Sequence, residues 1–426
     1  MFLNPTTNII ILTYVDDCLF FGRTKEAIDQ VIADIHAKHD LEEQNADRNV
    51  FEYLGIEINM EGDFVEFLQE GLTNKILRTV GMEDCNTNDT PAKEAPLTSD
   101  RDGEPFNEGW EYASVCGMLM YLVNTRPDIQ FSVHQASKYT HNPMNCHANA
   151  VKKICRYLQK TKKRGIRFKK ETIDPNNLQI NCYVDASFCP SWKDTDDESS
   201  SKSRTGYVIR IDDSPVQFAS QGQQETTLST TECEYVALST AMRELLWVRR
   251  IVHDITTGFG INYNRDTVIH STVFEDNQGA IAVAKRPDLT RRTRHLHTKY
   301  HHFKENLGDH IDGGSIRVDY IPTHLQIADI LTKGLGDTLF RPLRNKLMGW
   351  DNYEIDNVQK GELEYDRQAR KSNRHESVRE SADSITPIPY SEQSSNVLEQ
   401  QLPSPTVGAN RNRTASDLRT GDKEVA

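Results

Sequence analysis

Between Leu178 and Phe188 a carboxylate, Asp185, sits inside an otherwise apolar run, and that placement narrows what the chain can fold into. A carboxylate buried in a strand is costly unless a partner or a metal compensates it. The residues that follow show what kind of sheet surrounds it. Leu178–Phe188, Gly206–Ile211 and Val216–Ser220 predict three strands in a meander. Thr231–Val252 then predicts a long helix, Thr267–Phe274 a strand, and Asn277–Lys285 and Thr298–Asn306 two helices. Ile316–Ile321 predicts a last strand and Gln326–Thr332 a last helix. Three antiparallel strands followed by helix–strand units predict an α/β fold with a mixed five-stranded sheet and flanking helices.

Three further acids mark the ends of these elements. Asp276 closes the Thr267–Phe274 run, Glu232 and Glu234 open the long helix, and Asp329 lies in Ile327-Ala328-Asp329-Ile330. If the strands are neighbours, the carboxylates converge at one edge of the sheet. In-line hydrolysis of a phosphodiester needs charge stabilisation at both the attacking water and the leaving oxygen. Two divalent ions roughly 3.5–4 Å apart supply it, held by carboxylates, and magnesium prefers such oxygen ligands. Each acid has a plainer reading. Asp276 could cap the helix that follows, and Asp329 could be an ordinary surface residue. Glu232 and Glu234 complete capping boxes with Ser229 and Thr231 respectively, so spacing does not choose between them.

Upstream, Asn8–Leu12 and Cys18–Phe21 flank Tyr14-Val15-Asp16-Asp17, a hairpin with an acidic pair at its turn. Lys25–His39 has helical periodicity, and Phe51–Asn59 with Asp63–Leu68 predict paired strands. Thr73–Val80, Trp110–Leu122 and Ile129–Lys138 predict helices, with a polar linker over Asn86–Asp102. His147–Lys160 is amphipathic: Val151, Ile154, Cys155 and Leu158 line one face, and Lys152, Lys153, Arg156 and Lys160 point elsewhere. That basic face is either a track for a nucleic-acid backbone or a solvated surface. The net charge of −13 does not exclude the first, because binding depends on where the basic residues lie.

Composition removes other classes. No stretch approaches the ~20 apolar residues of a membrane span, and the opening lacks the layout of a signal peptide. The eight cysteines are scattered without a CxxC pair, which predicts reduced thiols. His295, His297, His301 and His302 have no accompanying cysteine, which argues against zinc. Past about Trp350 large apolar residues become rare, so a tail over 346–426 is expected to be disordered. Lys193–Lys202 reads as an acidic insertion between the first two strands.

The segments TGYVIRI, LSTTECEYVALS, EDNQGAIAVAKRP, RTRHLHTKYHHFKE and ADILTKGL resemble the ribonuclease H domain of copia-type retrotransposons. YVDDCLFFG, FEYLGIEI, GMLMYLVNTRPDI and ICRYLQKT resemble the reverse transcriptase palm and thumb–connection region of the same polyprotein. The helix ends in Gln159-Lys160-Thr161, where the family usually shows Lys-Gly-Thr. The resemblance implies a truncated palm over 1–95, a thumb/connection region over 96–175 and a ribonuclease H-like domain over 176–345. It implies metal-binding acids at Asp185, Glu234, Asp276 and Asp329, and it favours Glu234 over Glu232. For His324, shortly before Asp329, the resemblance implies a histidine that helps release product, and the plainer reading is a surface-loop histidine.

The implied reaction is two-metal hydrolysis of the RNA strand of an RNA–DNA hybrid, with Mg2+ or Mn2+. Implied partners are the hybrid and other polyprotein segments, with no membrane. The implied setting is a cytoplasmic virus-like particle or the nucleus, without secretion. The polymerase remnant, Asp16 and Asp17, is expected not to extend a primer by itself. The rival expectation is an inactive remnant that only binds nucleic acid.

Overall fold

A computed structural model describes residues 1–4, 6–39, 50–60, 62–170, 177–190, 201–258, 268–286, 298–309 and 314–350. Of the tail expected to be disordered over 346–426, residues 346–350 are described and ordered, with Leu347, Met348 and Trp350 buried; the rest of it, most of the acidic insertion, and His295 and His297 lie outside the described residues.

The chain opens with a small antiparallel sheet of β1 (Phe2–Asn4), β2 (Ile9–Tyr14) and β3 (Asp17–Phe21). Helix α1 (Lys25–His36) follows, capped by Thr24, whose hydroxyl accepts from the Ala27 N–H at 3.3 Å. Strands β4 (Val50–Tyr53), β5 (Ile56–Asn59) and β6 (Phe64–Leu68) form a meander leading into α2 (Glu70–Val80). Gly81, at φ +70, ends α2 in a left-handed cap that returns the Met82 N–H to the Leu77 carbonyl. Then come α3 (Tyr112–Leu122), α4 (Gln130–Ser137) and α5 (Asn145–Thr161). β7 (Ile166–Lys169) returns to pair with β6, so the four-stranded sheet draws on both the 1–95 and the 96–175 segments.

The largest sheet comes next. β8 (Leu178–Ser187), β9 (Arg204–Ile211) and β10 (Ser214–Gly222) form the meander that the alternation predicts. After α6 (Thr230–Gly258), β11 (Ile269–Glu275) pairs parallel to β8. After α7 (Gln278–Lys285), β12 (Gly308–Asp309) and β13 (Ser315–Tyr320) complete the order β10-β9-β8-β11-β13-β12. The sheet is mixed, as expected, but it has six strands and not five. The addition is the two-residue β12, antiparallel to β13. Gly308 sits at φ +112, which lets the chain turn into that short edge pairing.

Two expected helices are also shorter than the sequence suggests. Thr298–Asn306 forms separate 3-10 turns at Thr298–His301 and Lys304–Asn306. Its aromatic and histidine residues are indifferent helix formers. They are engaged sideways instead, with His301 Nδ1 2.8 Å from the Tyr235 hydroxyl. The segment 326–332 contributes only one turn, α8 (Asp329–Thr332), before α9 (Asp337–Met348) closes the described chain.

Strand alternation divides the core in two. Leu178, Ile180, Cys182 and Val184 face α6 and pack with Leu238, Met242 and Leu245. On the opposite face, Tyr183 and Val208 meet a larger cluster that runs from Ile76 through α3, α4 and α5 to Leu331, Phe340 and Leu347. The helices of 96–175 therefore share one apolar core with α8 and α9. A buried polar network locks the junction. Arg126 pairs with Asp128 at 2.8 Å and reaches Thr161, while Trp350 Nε1 donates to the Gly165 carbonyl at 2.8 Å. Among the described residues no helix is long and apolar enough to cross a membrane.

Candidate metal centre

The register of two parallel strands brings the first pair of carboxylates together. Tyr183 of β8 is level with Phe274 of β11, and their rings stack at 4.9 Å. Asp185 and Asp276 each lie two residues further on, at the same level beyond the C-terminal ends of the parallel pair. Glu234 enters from the first turns of α6. Oxygens of Asp185, Glu234 and Asp276 all lie within 4.8 Å of one another. Asp185 is 2% exposed and Glu234 7%, whereas Asp276 is half-buried.

The structure separates the two glutamates that spacing leaves equivalent. Glu232 is the capping residue: its Oε2 accepts from the Leu228 N–H at 2.7 Å, and its own N–H donates to Ser229 Oγ at 3.2 Å. Glu234, two residues on, turns inward. Asp276 does not cap α7 either. Asn277 does, its Oδ1 accepting from the Ala280 N–H at 3.0 Å, which leaves Asp276 to accept from the Thr323 hydroxyl at 2.8 Å.

Asp329 takes a different corner. It is fully buried at the start of α8 and meets Lys333 Nζ at 2.9 Å, while the same ammonium lies 3.8 Å from Asp185 Oδ2. Thr332 donates its hydroxyl to Asp185 Oδ2. Two residues hold this corner against the sheet. Gln326 Nε2 donates to the Val184 carbonyl at 2.8 Å and the Phe274 carbonyl at 3.2 Å, bridging the strands that carry Asp185 and Asp276. Gly206, paired with Asp185, lets α8 lie directly on β9, since a Cβ there would come within 2.7 Å of the Thr332 methyl.

Neither Gln326 nor Lys333 stands out in the sequence, although the i, i+4 spacing of Asp329 and Lys333 is a usable signal. Glu275 was also missed. It shares strand parity with Ile269 and Val273, is 0% exposed, and accepts from the Asn277 N–H at 3.0 Å through Oε1. Its Oε2 has no hydrogen-bond partner, and neither has Glu234 Oε2.

So many acids in a dry place suppress one another's ionisation. Burial, then the charges of Asp185, Glu275 and Asp276, push Glu234 up to about 11. Burial, then Asp185, raise Asp329 to about 8, although Lys333 pulls the other way. Burial raises Asp185 against the pull of Lys333 and Thr332, and burial holds Glu275 well above the usual carboxylate range. A divalent cation is the chemical complement of such a cluster. The donors are all oxygen, they converge, and the buried Glu234 Oε2 is unsatisfied, so the residues fit magnesium or manganese.

The remaining expected residues lie apart from this cluster. His324 is exposed in the turn Thr323–Leu325, beside the threonine that contacts Asp276. Asp16 and Asp17 are exposed at the β2–β3 hairpin, where Val15 holds φ +52, a conformation costly for a β-branched residue. On α5, Lys152 is paired with Glu108 at 2.5 Å and Lys160 with Asp89. Lys153 and Arg156 are half-buried, and burial lowers the Lys153 pKa.

Fold and site together define an α/β protein with an all-oxygen acidic pocket at the C-terminal end of a parallel strand pair. Residues 1–94 match the reverse transcriptase (RNA-dependent DNA polymerase) family. Over 339 residues, 80% of the chain, it is 29% identical to the retrovirus-related Pol polyprotein from transposon RE2 of Arabidopsis thaliana. Over 336 residues it is 30% identical to that from transposon TNT 1-94 of Nicotiana tabacum. The chain belongs to the copia-type retrotransposon Pol polyproteins. It spans 22% and 23% of the length of those two relatives. Among solved structures, the N-terminal RNase H domain of a Mycobacterium tuberculosis protein, fused to maltose-binding protein, matches at 11% identity. That match covers 39% of this chain and 96% of that one, at a TM-score of 0.23, too low to bear on the fold.

Proposed function

We propose that the unit built on the six-stranded sheet is a ribonuclease H that cuts the RNA strand of an RNA–DNA hybrid. The observation that carries this reading is the meeting of Asp185, Glu234 and Asp276 within 4.8 Å, with a buried and unsatisfied glutamate oxygen among them. Two bound divalent ions would supply charge stabilisation to the attacking water and the departing 3′ oxygen. Asp185, Glu234, Asp276 and Asp329 would hold them. Thr332 and Thr323 orient Asp185 and Asp276 by donating to one oxygen of each. Gln326 keeps the two strand ends at a constant separation. His324, exposed next to Thr323, would assist product release.

Selection of a hybrid would rest on duplex shape and 2′-hydroxyl contacts, without base readout. The basic face of α5 is a weaker track than its charge count implies, because Lys152 and Lys160 already have acidic partners. The hairpin acids Asp16 and Asp17 belong to no cluster of three acids among the described residues, and this chain alone is expected not to extend a primer. The reaction belongs to the element's cytoplasmic particle or to the nucleus.

The test is single-turnover cleavage of a labelled hybrid, beside single-stranded RNA and duplex RNA, with Mg2+ and with chelator. Cleavage confined to the hybrid and to the metal-loaded protein is expected. Hybrid binding without cleavage in Mg2+ or Mn2+ would favour an inactive remnant.

A further inference from the structure

The acids form two corners of unequal character. At the first, Asp185, Glu234 and Asp276 meet, and among the described residues the one ion pair reaching them is that of Lys333 with Asp185, at 3.8 Å. At the second, Asp185 and Asp329 are already bridged by an ammonium, Lys333 Nζ, 2.9 Å from one and 3.8 Å from the other. An ammonium at that spacing from two buried carboxylates supplies one of the two positive charges a divalent ion would bring.

The position of Lys333 is built into the backbone. Its N–H donates to the Asp329 carbonyl at 3.2 Å, closing the single turn of α8. The next residue, Gly334, lies against the main chain at Lys93, where a Cβ would fall 1.9 Å from the carbonyl oxygen. Between those anchors the root of the side chain cannot move far. The side chain itself is 38% exposed, so the ammonium has a route out of the pocket without unfolding α8.

We infer that Lys333 is the resident counter-cation of the Asp185–Asp329 corner, and that a divalent ion enters this corner only by displacing it. This rests on the metal-centre reading proposed above. Loading is then ordered by the fold. The first ion takes the Asp185–Glu234–Asp276 corner, where Lys333 reaches Asp185 and only at the longer of its two distances. The second competes with a tethered ammonium and binds more weakly. While the second ion is absent, Lys333 also keeps Asp185 and Asp329 from facing each other unpaired, which would strain the strand end.

Titration of the metal-free chain with Mn2+, followed by calorimetry and by the electron paramagnetic resonance signal of free Mn2+, tests the inference. The wild-type chain should bind one ion tightly and a second at least about tenfold more weakly. Lys333→Met and Lys333→Gln should each tighten the second ion about tenfold and leave the first within about twofold. Lys333→Arg should keep the wild-type pattern. Without metal, Lys333→Met should melt below wild type, and Mn2+ should raise its Tm by more than it raises the wild-type Tm. Two tight ions in the wild-type chain, or a second affinity unchanged in both Lys333→Met and Lys333→Gln, would overturn the role of Lys333 and leave the metal centre standing. Absence of any Mn2+ binding by the wild-type chain would overturn both.

Discussion

Two places in this chain set acids close together, and they differ in both sequence spacing and burial. Asp16 and Asp17 are adjacent, exposed at a hairpin tip, and surrounded by water that screens them. Asp185, Glu234, Asp276 and Asp329 are scattered over 145 positions and meet in a pocket that excludes most of that water. Exposed like charges in water repel weakly. Buried ones either acquire a cation or lose ionisation. Adjacency in sequence is therefore the poorer indicator of a cluster that could hold a metal ion, and burial the better one.

The sharpest way to break this contrast is to neutralise each group. Asp185→Asn and Asp276→Asn should each lower hybrid cleavage by about a thousandfold or more, corresponding to several kcal/mol of lost transition-state stabilisation. Asp16→Asn and Asp17→Asn should leave the single-turnover rate unchanged. A rate for Asp276→Asn equal to that of wild type would end the assignment.

The two glutamates of α6 sharpen the same contrast at a distance of two residues. Glu234→Gln should lower the rate by about a hundredfold. Glu232→Ala should leave the rate within about twofold and cost about 0.5–1 kcal/mol in denaturant unfolding, the usual worth of a cap. If the two variants exchanged phenotypes, the orientation of the first turn of α6 would be wrong.

Stability against pH separates the buried acids from the exposed ones without an activity assay. Glu234 and Asp329, raised to about 11 and about 8, keep protons in the folded state that the unfolded chain releases near its ordinary carboxylate values. The folded state then binds more protons, so stability falls as pH rises. In chelator, Tm should drop by several degrees between about pH 5 and pH 8, where both groups contribute, and then more slowly as Glu234 alone remains. Saturating Mg2+ should flatten the profile. A Tm that rises over that window in chelator would contradict the crowding of the acids.

The smallest effect is expected on α5. Lys160→Ala should weaken hybrid binding by less than about threefold and change the slope of log affinity against log salt by less than about 0.9, the value of one full phosphate contact. A change of a whole unit would mean that the pairing with Asp89 opens when nucleic acid binds.

Much of this molecule was legible in its residues. Short apolar runs identified β8, β9 and β11, and the i, i+3, i+4 pattern identified α5, because such patterns follow from local backbone geometry alone. The segment around Thr298–Asn306 was misread as one helix, since its competing side-chain contacts come from Tyr235 on a distant element. The two-residue β12 carried no periodic signal at all. Glu275 was passed over beside Asp276, although strand parity turns it inward.

The primary structure by itself determined the kinds of elements, their order, and the acids that lie at their ends. It also carried the motifs that mark a copia-type polyprotein. Spacing left Glu232 and Glu234 equivalent and the motifs favoured Glu234, whereas tertiary structure alone decided that Lys333 bridges Asp185 and Asp329, and that α5 shares a core with α8 and α9. Those outcomes depend on register between strands and on which surfaces meet, and neither is a property of any one stretch of chain.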